Sequence, residues 1–188
     1  MADLNRNSAT TWPDLAGRLV ERGGKRAHLL PVRVYFEDTD FSGLVYHASY
    51  VRWCERGRSD FLRLLGNDHR GLIDGSAGRE PAAFVVRRMG LEFLKPARID
   101  EILEVETSVK EIGAAHLVLT QRIARPGVRP LAQNVEAISA DGTARGLTPS
   151  KDETATMLFT AEVMVVLVSV SGKPMRLSQA IRAAFESV

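Results

Sequence analysis

Between Val34 and Arg63 the chain gathers the residue types that hydrolytic chemistry uses. Three carboxylates, Glu37, Asp38 and Asp40, fall within four residues, Gly43 follows, and then come Tyr46 and His47. From about Ala48 the apolar or small positions Tyr50, Cys54, Gly57, Phe61 and Leu65 recur at helical spacing, while Arg52, Glu55, Arg56 and Asp60 are charged. The stretch reads as a strand, an acidic turn, and a helix whose N-terminus faces the turn. Free backbone N–H groups at a helix start bind or polarise an oxygen. A carboxylate, an imidazole and a helix N-terminus brought into one loop make a candidate hydrolytic site.

The same stretch carries a long motif, Y-x-E-D-T-D-x-x-G-x-V-Y-H-A-x-Y followed by W-x-E-R-x-R. Here its residues are Tyr35, Glu37, Asp38, Thr39, Asp40, Gly43, Val45, Tyr46, His47, Ala48, Tyr50, Trp53, Glu55, Arg56 and Arg58. The motif resembles that of the YbgC-like acyl-CoA thioesterases, which belong with the 4-hydroxybenzoyl-CoA thioesterases in the hotdog fold. The likeness continues more weakly to about Ala124 and resumes from about Leu158 to Leu177. It does not cover the N-terminus or the stretch from about Arg125 to Met157.

The resemblance implies an α+β hotdog fold, a long central helix wrapped by an antiparallel β-sheet. It also implies an acyl-CoA substrate, no cofactor beyond the CoA that the substrate carries, and homodimers with the site at the subunit interface, often paired again into homotetramers. Asp40 aligns with the family's catalytic aspartate. It either attacks the thioester carbonyl, giving an anhydride, or activates a water as general base. His47 matches the family's V-Y-H-A histidine and would orient Asp40, hold the water or protonate the departing thiolate. Backbone N–H groups near Tyr46, His47 and Ala48 would bind the thioester oxygen, and Gly43 completes the substrate-binding set.

Two positions depart from relatives. Phe36 stands where some have a tyrosine, which removes a hydroxyl contact to substrate. Gly113, Ala114 and Ala115 stand where some 4-hydroxybenzoyl-CoA enzymes carry a basic cluster for the nucleotide. Lys95, Arg98 and Arg87 are the remaining candidates for CoA phosphate contacts.

In an arbitrary chain Asp40 would be read as a turn or capping residue and His47 as a core or capping histidine; the motif around both reverses that reading. Glu37 and Asp38 are expected to be structural, through turn hydrogen bonds or ion pairs with Arg56 or Arg58. His28, His69 and His116 show no paired ligand spacing, so no metal site is expected. Neither G-x-S-x-G nor a P-loop is present. Two competing readings share the fold: an acyl-CoA hydratase or dehydratase, against which the motif argues, and a non-catalytic partner of the Tol-Pal envelope system.

The rest of the chain must position these groups. Its 188 residues suit one domain, and 45% hydrophobic content supports a real core. A net charge of +2 is too small to argue for nucleic acid. The single cysteine, Cys54, excludes an internal disulfide and lies on the apolar side of the helix, where a free cysteine is a small core residue. The N-terminus lacks an apolar signal-peptide core, and the longest apolar run, Val163–Val168, is too short to span a bilayer. A cytoplasmic location, free or peripheral at the inner membrane, is therefore expected.

Residues 1–28 read as an N-terminal extension. A short helix is expected to start near Thr11, Trp12 and Pro13, to present Leu15, Leu19 and Val20, and to end at Gly23 and Gly24. Its bases, Arg18, Arg22, Lys25 and Arg26, fit a solvated cap or a membrane-surface arm. The hotdog domain then occupies 29–188. Its strands are expected at Leu29–Phe36, Ala83–Leu94, about Leu103–Lys110, about Leu117–Ile123 and Phe159–Val170. Pro31 suggests an edge position or the beginning of a strand. Asn67–Pro81 reads as loop. Residues 126–157, with Pro126, Pro130 and Pro149, read as an insertion between two strands. A short C-terminal helix is expected over Leu177–Phe185.

Overall fold

The computed structural model describes residues 17–22, 24–67, 69–75, 80–126 and 155–188. Among these residues six strands form one antiparallel sheet: β1 (Arg18–Arg22), β2 (Lys25–Arg33), β3 (Ala82–Phe93), β4 (Ile102–Ile112), β5 (His116–Arg125) and β6 (Thr156–Ser169), in the order β1-β2-β4-β5-β6-β3. Helix α1 (His47–Leu64) follows β2, α2 (His69–Ile73) precedes β3, and α3 (Gln179–Glu186) comes last. The expected α+β arrangement is therefore present.

Helix α1 has the amphipathic spacing seen in sequence. Tyr50, Trp53, Cys54, Gly57 and Phe61 are all buried, and they pack with Val34, Leu103, Val105, Ile123, Phe159 and Val163 in one core. Gly57 marks the closest approach of helix to sheet. A Cβ there would lie 3.1 Å from Thr107 Oγ1 and 3.2 Å from Val105 Cγ1. Beneath it the buried Gln121 amide donates to Cys54 O at 2.8 Å and to Thr107 Oγ1 at 2.9 Å. This satisfied polar layer fixes the helix over β4 and β5. Burial pushes the Cys54 thiol up to about 12, so it is an inert core group.

The N-terminal segment differs from expectation. Arg18–Arg22 is a strand rather than part of a helix, and it pairs with β2 from Arg18↔Leu29 to Arg22↔Lys25. Gly24, expected to help stop a helix, lies at the hairpin connection between β1 and β2 instead, with φ +77°; Gly23 lies outside the described residues. Residues 1–16, where that helix would begin, lie outside the described residues. Pairing with β1 also moves the second strand earlier, to Lys25–Arg33, while Phe36–Asp38 forms a 3-10 turn. β1 begins opposite Leu29, so at Pro31 β2 has only β4 beside it, and the proline's missing donor is tolerated.

β5 and β6 pair with each other from His116↔Val166 to Arg125↔Thr156. The expected insertion thus leaves and re-enters at the end of one strand pair; residues 127–154 lie outside the described residues. Thr156 and Met157 already belong to β6. The stretch read as loop after α1 contains α2, which is a single short turn of five residues. β3 is an edge strand of 12 residues, exposed over most of its length.

Candidate active site

The acidic stretch between β2 and α1 is two turns. In the first, Asp38 is buried: its Oδ2 accepts from Tyr35 N at 3.0 Å, and its backbone oxygen accepts from Tyr46 N at 2.8 Å and Ser49 Oγ at 3.2 Å. Its Oδ1 lies 3.6 Å from Arg52 Nη2, which also donates to Ser49 Oγ at 2.9 Å. Asp38 is thus structural, as expected, but its cation is Arg52 rather than Arg56 or Arg58. Arg52 is i+3 from Ser49 on the face of α1 that meets the turn, whereas Arg56 and Arg58 lie further along the helix, away from the turn.

The second turn holds Asp40. Its backbone oxygen accepts from Gly43 N at 3.0 Å, and Gly43 sits at φ +74°, the left-handed region that glycine adopts without strain. The Asp40 carboxylate is exposed. Its Oδ1 accepts from Ser42 Oγ at 2.5 Å and from Ser42 N at 2.8 Å. These donors, the hydroxyl foremost, hold the carboxyl below its ordinary value. Oδ2 accepts no hydrogen bond among the described residues and is the free oxygen of the pair.

Neighbouring chain clamps this turn. Thr39 bridges to Val45, Leu44 bridges to Arg98, and Val45 N donates to Ala97 O at 2.9 Å. The segment Pro96–Glu101 is itself fastened: Ala97 N donates to the buried Tyr50 hydroxyl at 2.9 Å, and Val34 N donates to Glu101 O at 2.9 Å. Arg125 holds both carboxylate oxygens of Glu101, Nη2 donating to Oε2 at 2.7 Å and to Oε1 at 2.9 Å.

Helix α1 opens at His47, and no side chain caps it. Tyr46 N is committed to Asp38 O, so of the backbone donors expected to meet a substrate oxygen, Tyr46 is not available. His47 and Ala48 donate no backbone N–H to the described residues, as the first turn of a helix leaves them. The His47 ring is exposed and lies against the Tyr46 ring at 4.3 Å between centroids. Gly43 N closes the turn, so its contribution is the shape of the loop. The structure brings Asp40, Gly43, Tyr46, His47 and Ala48 to one exposed corner. Arg98 meets that corner through the Leu44 bridge; Lys95 lies exposed three residues earlier, its N–H on Leu158 O, and Arg87 lies exposed on β3.

The Gly113–Ala115 turn is occupied by the chain's own end. Arg182 Nη2 donates to Gly113 O at 2.7 Å and Leu177 N to Ala114 O at 2.9 Å. Among the described residues no group of three or more potential metal ligands comes together. No helix of the described residues is long and apolar enough to cross a membrane.

Residues 42–131 match the thioesterase superfamily. The acyl-CoA thioester hydrolase YbgC of Escherichia coli is 38% identical over 157 residues, 83% of this chain and 93% of that protein. The chain belongs to the YbgC-like thioesterase family. A solved neighbour is a probable thioesterase from Bartonella henselae, 36% identical, with a TM-score of 0.62 over 81% of this chain and 99% of that one. A mutant 4-hydroxybenzoyl CoA thioesterase complexed with 4-hydroxybenzoyl CoA shares the fold at 14% identity, with a TM-score of 0.65 over 85% of this chain and 99% of that one. The hotdog fold and the family expected from the motif are thus both present.

Proposed function

We propose that this chain is an acyl-CoA thioester hydrolase in which Asp40 is the reacting carboxylate and His47 its partner. One observation carries the site assignment: Asp40 presents a free oxygen beside the uncapped start of α1, in the turn of a YbgC-like chain. The Ser42 donors favour the ionised carboxylate, so Oδ2 is ready at neutral pH to attack the carbonyl or to take a proton from water. The N–H groups of His47 and Ala48, unpaired among the described residues, receive the oxygen as it gains negative charge. His47 protonates the departing CoA thiolate. The reaction needs no further cofactor. Lys95 and Arg98, on the turn bridged to Leu44, meet the CoA phosphates.

The working unit is a homodimer. β3 offers one unpaired edge with Val85, Val86, Leu91 and Phe93 exposed, and the catalytic corner exposes Phe36 at 81% and Phe41 at 105%. An edge and an aromatic corner of this kind call for cover, which a second copy supplies symmetrically.

Thiol release from short-chain, long-chain and aromatic acyl-CoAs, followed with a thiol reagent, tests the activity and ranks the acyl groups. A folded protein that releases no thiol from any member overturns the reading.

A further inference from the structure

The carboxylate and the backbone donors of the site belong to different pieces of chain. Asp40 lies on its turn, and the N–H groups of His47 and Ala48 open α1. Besides the chain itself, two sets of contacts hold one against the other. Before Asp40, Asp38 O takes Tyr46 N and Ser49 Oγ from the helix. After it, Val45 N donates to Ala97 O at 2.9 Å, and Leu44 bridges to Arg98. Leu44 O accepts from Asp40 N at 2.9 Å, so whatever holds Leu44 also holds the backbone of Asp40.

Ala97 is reached from the helix by one group. Its N–H donates to the Tyr50 hydroxyl at 2.9 Å, the one hydrogen bond between α1 and Pro96–Glu101 among the described residues. Tyr50 is the fourth residue of α1 and is buried. Three rings fix its own: Trp53 at 5.5 Å and Phe93 at 5.6 Å meet it edge-on, and Phe159 stacks on it at 5.5 Å between centroids. Packing in such a cage needs only a phenyl ring. The hydroxyl is a polar group carried into apolar surroundings, where it has to be satisfied. Burial raises the Tyr50 pKa, against the opposing effect of the Ala97 hydrogen bond, so the group is a neutral phenol.

We propose that Tyr50 is a positioning residue for the hydrolysis: through Ala97, its hydroxyl sets the Asp40 turn against the N–H groups that open α1. Ala97 is the relay, with its N–H on the helix and its C=O on the turn. The far end of the same segment is fixed separately, by Val34 N on Glu101 O and by Arg125 on the Glu101 carboxylate. Without the hydroxyl the segment keeps that anchor and pivots at Ala97, and the turn follows. A displacement of about 1 Å in a reacting group can lower a rate on the order of 10²-fold. The Ser42 donors travel with Asp40 because they belong to the same turn, so its ionisation stays as it is. The inference rests on the assignment of Asp40 made above.

The test is Tyr50→Phe, compared with wild type and with Asp40→Asn on an acyl-CoA that the wild type hydrolyses. The kcat per folded molecule is expected to fall about tenfold or more, with KM changed by less than about threefold and the acidic limb of the kcat/KM profile in place. Amide exchange reads the relay without turnover. In Tyr50→Phe the Val45 N–H should exchange faster, although its own partner, Ala97 O, is untouched. In the wild type, Ala97 and Val45 should show the same protection to within about threefold, since one residue carries both bonds. An unchanged kcat, a loss no larger than the unfolded fraction, a rise in KM alone, an unmoved Val45 amide, or unequal protection in the wild type would each overturn the proposal. Asp40→Asn with wild-type turnover would remove the site assignment and this inference with it. An inactive Asp40→Asn beside an unimpaired Tyr50→Phe would remove this inference alone.

Discussion

The 3-10 turn at Phe36–Asp38 and the tight turn at Asp40–Gly43 are neighbours in sequence with opposite treatment of their carboxylates. Asp38 is buried, and its oxygens meet a backbone donor and a guanidinium. Asp40 is exposed, with one oxygen held by Ser42 and the other free. Two residues apart, one carboxylate builds the loop and the other is presented by it. Charge alone would not separate them; the accounting of acceptors does.

Exchanging Asp40 for Asn tests the presented carboxylate most severely. Turnover should fall by orders of magnitude with little change in thermal stability, because Asn has the shape but neither attacks nor accepts a proton. Thiol-release kinetics beside a melting curve check both halves. Wild-type turnover in a folded Asp40→Asn protein would remove the contrast altogether. His47→Ala comes next, with a loss on the order of 10²-fold and a changed pH–rate profile. An unchanged rate and profile would move His47 to the structural side.

Asp38→Ala should show the reverse balance. It leaves Tyr35 N without its acceptor and Arg52 without its counter-charge, and should cost about 1–3 kcal/mol of stability, read by urea denaturation. Loss of turnover without loss of stability there would mean that Asp38 is also a chemical group. Ser42→Ala should have the smallest effect. Its hydroxyl favours the ionised form of Asp40, so removing it raises that pKa, and the acidic limb of the kcat/KM profile moves to higher pH. At neutral pH the rate should hardly change. A limb that stays in place would show that the titrating group is not Asp40.

Much of this was legible in the chain itself. The spacing of Tyr50, Cys54, Gly57 and Phe61 located α1 to within about a residue, and strict alternation located β4 and β5. The motif singled out the corner that holds Asp40 and His47. Other features depended on distant partners. Leu19 and Val20 lie side by side, which separates neither period, so β1 became readable only through its pairing with β2. Asp38 chose Arg52 because of the angle at which α1 leaves the turn, a tertiary quantity. The commitment of Tyr46 N to Asp38 O has the same origin.

The Arg125–Glu101 clamp has a consequence for protein engineering. Arg125 ends β5, where it faces Thr156 of β6. Glu101 anchors the segment that carries the Leu44 and Val45 contacts of the Asp40 turn. A force applied to the chain beyond Arg125 is borne by that two-pronged grip and by the Arg125↔Thr156 rung before it reaches Asp40. The β5 end is tied at two points, which makes it a place to splice in a tether or a fluorescent reporter with the shape of the Asp40 turn kept.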